Sequence, residues 1–320
     1  MPLEPPQRQT RQTAKALAAR QTPAKRTEAK TEVIDLTSSE GAPGQPSGDA
    51  STRPLLSNGI TPLPYDLGRG ITGLRPTEHR LLVKKQSLLQ QNGVLLPRRQ
   101  EVQSQRVIDA TLVFAQQEAG TAVCVSAEGL LLTCAHCVAE TAKQFDASRE
   151  HWLLFASGRV VKARCVAWDP KRDLALLMVT AAQPGDSPAS GAGDGITSFS
   201  CASVADVPPP VASKLLCVGH PGGEDLEAGR PGVKTNYDVL HVSTGAYRGL
   251  AAGQDVQDNS EIGALMHDCW TYWGHSGAPL AELKTGRLIG LHSSWDDSTG
   301  MRRGVPLEAL TEFLARVASR

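Results

Sequence analysis

The sequence predicts an all-β protein of two six-stranded antiparallel β-barrels, with a C-terminal helix and a disordered N-terminal tail. Three observations carry this reading. Short apolar and β-branched runs separated by turn residues follow one another between Ala110 and Val179. A Pro/Gly-rich segment then interrupts them, and a second set of such runs begins at Lys214. Runs of this length and spacing belong to a barrel or a sandwich. The chain has 320 residues, 40% of them apolar, which suffices for one well-buried domain of about 200 residues plus accessory segments.

In chain order, residues 1–75 read as a tail. Pro, Gly, Ser, Thr, Gln and charged residues dominate there, with no sustained apolar period. Residues 76–106 read as a helical or linker segment. Leu81, Leu82, Leu88 and Leu89 suit an amphipathic helix over Thr77–Gln91, and Asn92-Gly93 suits its stop. The domain follows over 107–320. Barrel one spans about 107–182, with hairpin turns expected at Glu128-Gly129 and Ser157-Gly158. The stretch from Gln183 and the triple proline Pro208–Pro210 read as a crossing linker outside the core. Barrel two spans about 212–303. A closing helix over 306–318 places Leu307, Leu310, Leu314 and Val317 on one face, with Pro306 in its first turn.

Charge excludes some partners. Lys plus Arg equals Asp plus Glu at 33 each, so no global field points to nucleic acid or an anionic membrane. No run of 18 apolar residues is present, and no membrane partner is expected. Met1–Lys30 lacks the apolar stretch of a secretory signal, which predicts an intracellular protein. The seven cysteines fit that compartment as reduced, buried thiols. Cys134, His136 and Cys137 form one C-A-H-C cluster without a second ligand pair, so no metal and no cofactor is expected.

Three strings supply reactive side chains. T-C-A-H-C ends at Cys137, R-D-L-A-L-L starts at Arg172 and G-H-S-G-A-P starts at Gly274. They offer His136, Asp173 and Ser276. A serine hydroxyl attacks a carbonyl near pH 7 only when a positioned imidazole takes its proton, and a buried carboxylate must hold that imidazole in its tautomer. Small residues around Ser276 let the backbone curl so that two N–H groups share a target.

From about Gly120 to Ala318 the chain resembles the trypsin-like (chymotrypsin-fold) serine protease domain, most of all its intracellular HtrA-like branch. S-A-E-G-L-L-L-T-C-A-H-C, D-P-K-R-D-L-A-L-L-M-V, C-V-G-H-P-G-G, G-H-S-G-A-P-L, G-R-L-I-G-L-H-S and G-V-P-L-E-A-L carry the resemblance, in the family's order. It implies a serine endopeptidase acting on protein or peptide substrates through an acyl-enzyme. His136 would be general base, Asp173 its orienting carboxylate and Ser276 the nucleophile, with the N–H groups of Gly274 and Ser276 as the oxyanion hole. There are departures. His275 stands where trypsin has an aspartate that pairs with a new N-terminus, so activation by that pair is not expected. Cys137 matches a disulfide cysteine whose partner position holds Thr121, so no bridge is expected. The 44 residues after Ser276 are too few for the family's PDZ domain, so control by one is not expected.

By the same resemblance, Thr271, His292 and Ser293 are candidates for the primary specificity pocket. An imidazole N–H and a hydroxyl can both donate to a Glu or Gln side chain, which suggests cleavage after those residues. Trp270, Tyr272 and Trp273 either shape the nearby walls or belong to ordinary core.

In the tail, Val33, Ile34, Asp35, Leu36 and Thr37 form a β-prone run that can add a strand to a sheet edge. The string resembles SUMO-interacting motifs, which makes SUMO or SUMOylated proteins candidate partners. Seven Arg/Lys against two acids lie between Met1 and Lys30, which tilts the intracellular location from cytoplasm towards nucleus and suggests a chromatin-facing arm. The alternative to an enzyme is a catalytically silent protease-fold module recruited through this tail.

Overall fold

The computed structural model describes residues 34–35, 59–67, 71, 73–92, 101–116, 120–185, 198–225, 228–230 and 232–319. Two short strands come first, β1 (Ile34–Asp35) and β2 (Thr61–Pro62), followed by helices α1 (Pro76–Asn92) and α2 (Glu101–Asp109). Then come β3 (Thr111–Phe114), β4 (Thr121–Cys124), β5 (Leu130–Thr133), the single-turn α3 (Ala135–Val138), β6 (Glu150–Phe155), β7 (Val160–Asp169) and β8 (Leu174–Ala182). The second set is β9 (Lys214–Gly219), β10 (His241–Leu250), β11 (Leu265–His267), β12 (Pro279–Glu282), β13 (Leu288–Trp295) and β14 (Arg302–Pro306), with α4 (Leu307–Ala318) closing the fold.

Barrel one has the order β7-β6-β3-β4-β5-β8 and is closed by β7 pairing with β8. Closure leaves no long edge, and inward side chains fill the interior. Leu112, Phe114, Leu131, Leu153, Val161 and Leu177 are buried there, each contributing about 1.5–3 kcal/mol of hydrophobic stabilisation. The expected hairpin turns form at Gly129 and Gly158, both at positive φ. Two strands are appended: β1 lies antiparallel to β7 and β2 parallel to β8. Barrel two is closed in the order β10-β11-β14-β13-β12-β9. All six barrel-forming pairings in each set are antiparallel, as the sequence predicts.

The helix expected over Thr77–Gln91 is α1, and it packs on barrel one. Leu82 and Leu89 are buried, whereas Leu81 and Leu88 stay partly exposed. Lys85 is buried as well, its Nζ donating to Phe114 O at 2.7 Å. In α4, Leu307 and Leu310 face the core with Ala309 and Phe313, while Leu314 and Val317 pack at its margin. Pro306 caps this helix rather than opening its first turn.

The crossing linker departs from expectation. Residues 186–197 lie outside the described residues, but Phe199 and Ala202 beyond them are core residues. Phe199 stacks on Phe155 at 5.8 Å, which pins the linker to barrel one. Pro208 and Pro210 are exposed. The basic arm, Val33, Leu36 and Thr37 lie outside the described residues.

Candidate active site

His136 sits on α3, a single turn that follows β5 with extended Cys134 at its N-cap. Its Nδ1 lies 2.9 and 3.0 Å from the two carboxylate oxygens of Asp173, and its backbone N–H donates to Oδ1 at 3.3 Å. A carboxylate only accepts, so Nδ1 carries the proton and Nε2 is left as the basic nitrogen.

Asp173 is fully buried and lies in the left-handed region at φ 56°. Aspartate tolerates this conformation better than most residues. The turn leading to it is fixed by its own ion pair. Arg172 Nη1 donates to Asp169 Oδ2 at 2.7 Å, and Arg172 N–H donates to Asp169 Oδ1 at 3.0 Å. Barrel two grips the same turn, through Arg172 Nε on Gln257 Oε1 at 2.7 Å and Asn259 N–H on Lys171 O at 2.8 Å. A further contact comes from Ser293, whose hydroxyl donates to Asp173 Oδ2 at 3.0 Å. Sequence reasoning assigned Ser293 to the specificity pocket; the structure adds this contact of its hydroxyl with the carboxylate.

Ser276 follows Gly274 (φ 98°) and precedes Gly277 (φ 83°). Its hydroxyl donates to Ser293 O at 3.3 Å. Among the described residues, no protein acceptor takes the N–H of Gly274 or Ser276. Gly277 cannot be replaced by a larger residue without collision, because a Cβ there would overlap Thr121 O and Thr133 Oγ1.

Thr121 ties this loop to barrel one. Its N–H donates to Ser276 O and its hydroxyl to Gly274 O, both at 3.0 Å. The same hydroxyl accepts from His220 N–H at 3.0 Å. Cys137 Sγ donates to Ser276 O and Cys134 Sγ to His292 O, each at 3.4 Å. Two thiols and a threonine thus brace this part of barrel two against barrel one. Sequence reasoning missed Thr121 and the Asp169–Arg172 pair; the D-x-x-R spacing in D-P-K-R-D was the available signal for the latter.

Cys134, His136 and Asp173 bring a sulfur, a nitrogen and an oxygen within 4.8 Å of one another. The two closest of these atoms are already joined by the His136–Asp173 hydrogen bond. The thiols of Cys124, Cys165 and Cys269 are pushed up to about 12 by burial, so they stay protonated near neutral pH.

His267, His275 and His292 are buried in barrel two beside Ser276. His292 Nδ1 lies 3.1 Å from His267 Nε2. Burial, then the neighbouring His267 and His275, holds His292 well below the usual imidazole range. Burial also lowers His267 and His275 to about 3 each, so all three are neutral near pH 7. His275 Nδ1 lies 3.1 Å from Tyr272 O and 3.2 Å from Tyr272 N, which fixes the chain just before Gly274. Among the described residues, Thr271 Oγ1, His275 Nε2 and His267 Nδ1 are buried without a hydrogen-bond partner. Trp270 and Tyr272 stack with parallel rings 6.3 Å apart beside Tyr237, and Trp273 packs edge-on to Trp295.

The sequence model of the trypsin-like peptidase domain matches residues 120–291. Among solved structures, Rv3671c from M. tuberculosis H37Rv, in an inactive mutant form, is 17% identical. That comparison covers 71% of this chain and 96% of the other, with a TM-score of 0.46. The serine endoprotease from Yersinia pestis is 18% identical over 69% of this chain and 67% of its own, with a TM-score of 0.47. No curated protein sequence matches. The family match spans more than half of the chain, runs from β4 into β13 and contains His136, Asp173 and Ser276, and so the chain belongs to the trypsin-like peptidase family.

Proposed function

We propose that this trypsin-like peptidase is a serine endopeptidase in which His136, Asp173 and Ser276 act as base, orienting carboxylate and nucleophile. The observation that carries the reading is the two-oxygen grip of buried Asp173 on His136 Nδ1. It leaves Nε2 ready to take a proton. For this, the Ser276 hydroxyl must leave Ser293 O and turn towards that nitrogen. The imidazole then passes its proton to the leaving amine, and water resolves the acyl-enzyme by the reverse sequence. The N–H groups of Gly274 and Ser276 are the donors for the oxyanion, each worth about 2.7–4 kcal/mol in the transition state.

The same reading extends to the residue before the scissile bond. The unpartnered, buried Thr271 hydroxyl and the neutral His292–His267 pair support a pocket that donates hydrogen bonds to Glu or Gln. Buried donors left unpaired discriminate strongly against side chains that cannot accept. A fluorophosphonate probe should label wild-type protein but neither Ser276→Ala nor His136→Ala. A peptide-library profile should then favour Glu or Gln before the cut. A preference for small aliphatic residues would sink the pocket assignment and leave the triad intact.

One observation favours a second reading. The Ser276 hydroxyl rests on Ser293 O rather than on the imidazole, as expected of a protease-fold module that binds peptides without cutting them. Recruitment would then run through the SUMO-motif-like segment Val33–Thr37. Wild-type protein that binds peptide yet never takes up the probe would establish this reading in place of the first.

A further inference from the structure

Strand β7 is only partly used by its barrel neighbours. Its first half pairs with β6, from Val160 opposite Leu154 to Arg164 opposite Glu150. On its other side β8 accompanies it as far as Asp169. The stretch Cys165–Asp169 therefore has a ladder on one side and, where β6 has ended, an open sheet edge on the other. Backbone groups at such an edge are a template for another strand.

The strand that lies there comes from far away in sequence. β1 runs antiparallel to β7, with Ile34 opposite Trp168 and Asp35 opposite Ala167. These two residues lie within V-I-D-L-T, a β-prone run flanked by polar residues. We infer that the Cys165–Asp169 edge is a docking site for an extended peptide strand, and that its resident occupant is this chain's own Val33–Thr37 segment. Strand addition uses main-chain hydrogen bonds that the segment can offer to one sheet edge at a time. A partner that captures V-I-D-L-T by adding it to its own sheet must first strip it from β7. The edge also adjoins the reactive histidine, since Trp168 Nε1 donates to Ala135 O at 3.1 Å. The inference needs neither the triad nor the pocket reading.

The test uses the full chain with Ile34→Pro and Leu36→Pro together, because proline lacks the N–H and cannot enter a ladder. The probe is a fluorescent peptide of residues 30–40, followed by anisotropy. It should bind the double variant, and bind wild type about tenfold or more weakly, because the tethered segment competes at high effective concentration. Amide exchange across Cys165–Asp169 should be faster in the variant than in wild type. Equal binding to the two chains, binding to neither, or unchanged exchange would each overturn the inference.

Discussion

The two barrels are built from different interiors. Barrel one is filled mainly by aliphatic and aromatic side chains, with His151 as the histidine it buries. Barrel two has a small apolar cluster, Leu215, Cys217, Tyr247, Leu265, Cys269, Ala278, Leu280 and Ile289. Around it lie buried Asn259, His267, Thr271, His275, His292 and Arg303. Packing is nearly indifferent to solution conditions, whereas buried imidazoles are not. Barrel one is thus a platform for His136 and Asp173, and barrel two surrounds Ser276 with groups whose protonation matters.

Four changes would break or sharpen that contrast. The largest effect falls on the platform's carboxylate. Asp173→Asn should lower kcat by about 10⁴-fold through the wrong imidazole tautomer, read as steady-state peptide hydrolysis, while the melting temperature moves far less.

The second is acid. His267 and His275 have folded values of about 3, against about 6.5 for an unfolded histidine. Between those limits the unfolded chain binds protons that the native one refuses. Stability is therefore full above pH 6.5, falls as pH drops, and stops falling from this source near pH 3. Each histidine contributes a slope of about 1.4 kcal/mol per pH unit. Urea titrations from pH 7 to 4 should show the fall. Buried His151 of barrel one, lowered to about 4, adds a share of its own. His267→Gln should remove one share, and a flat profile would mean that these histidines are not held neutral in the folded chain.

Third, Leu132→Ala in barrel one should cost about 2–5 kcal/mol by denaturant unfolding, with no pH dependence of its own. Fourth, Thr271→Val should raise stability by about 1 kcal/mol, because it deletes an unpaired buried hydroxyl. The same change should flatten any preference for Glu or Gln in a cleavage profile. A destabilised Thr271→Val would mean that the hydroxyl is structural.

Most of this architecture was legible in the sequence, and what escaped has physical causes. Long apolar runs such as Leu174–Ala182 announce strands by themselves. β11 is three residues long, and β14 opens with Arg302 and Arg303, so neither carries an apolar signature. Both are strands because barrel closure supplies partners on each side. Motifs singled out His136, Asp173 and Ser276 as candidates, since nucleophilic chemistry restricts residue type and order. They could not reveal that Ser293 reaches the carboxylate, because which way a side chain faces depends on a register shift between His292 and Ser294. Nor could they give Thr121 its role, which exists only once a barrel-one strand meets the loop of barrel two.

That meeting has a consequence for the life of the molecule. Thr121 is made long before Gly274 and Ser276 emerge from the ribosome, yet it holds both of their carbonyls. A nascent chain that has finished its first half holds His136 and Asp173 without Ser276, and the later half alone lacks the strut that shapes its loop. Cutting power would therefore arise only at the last step of assembly, which spares the growing chain from its own kind.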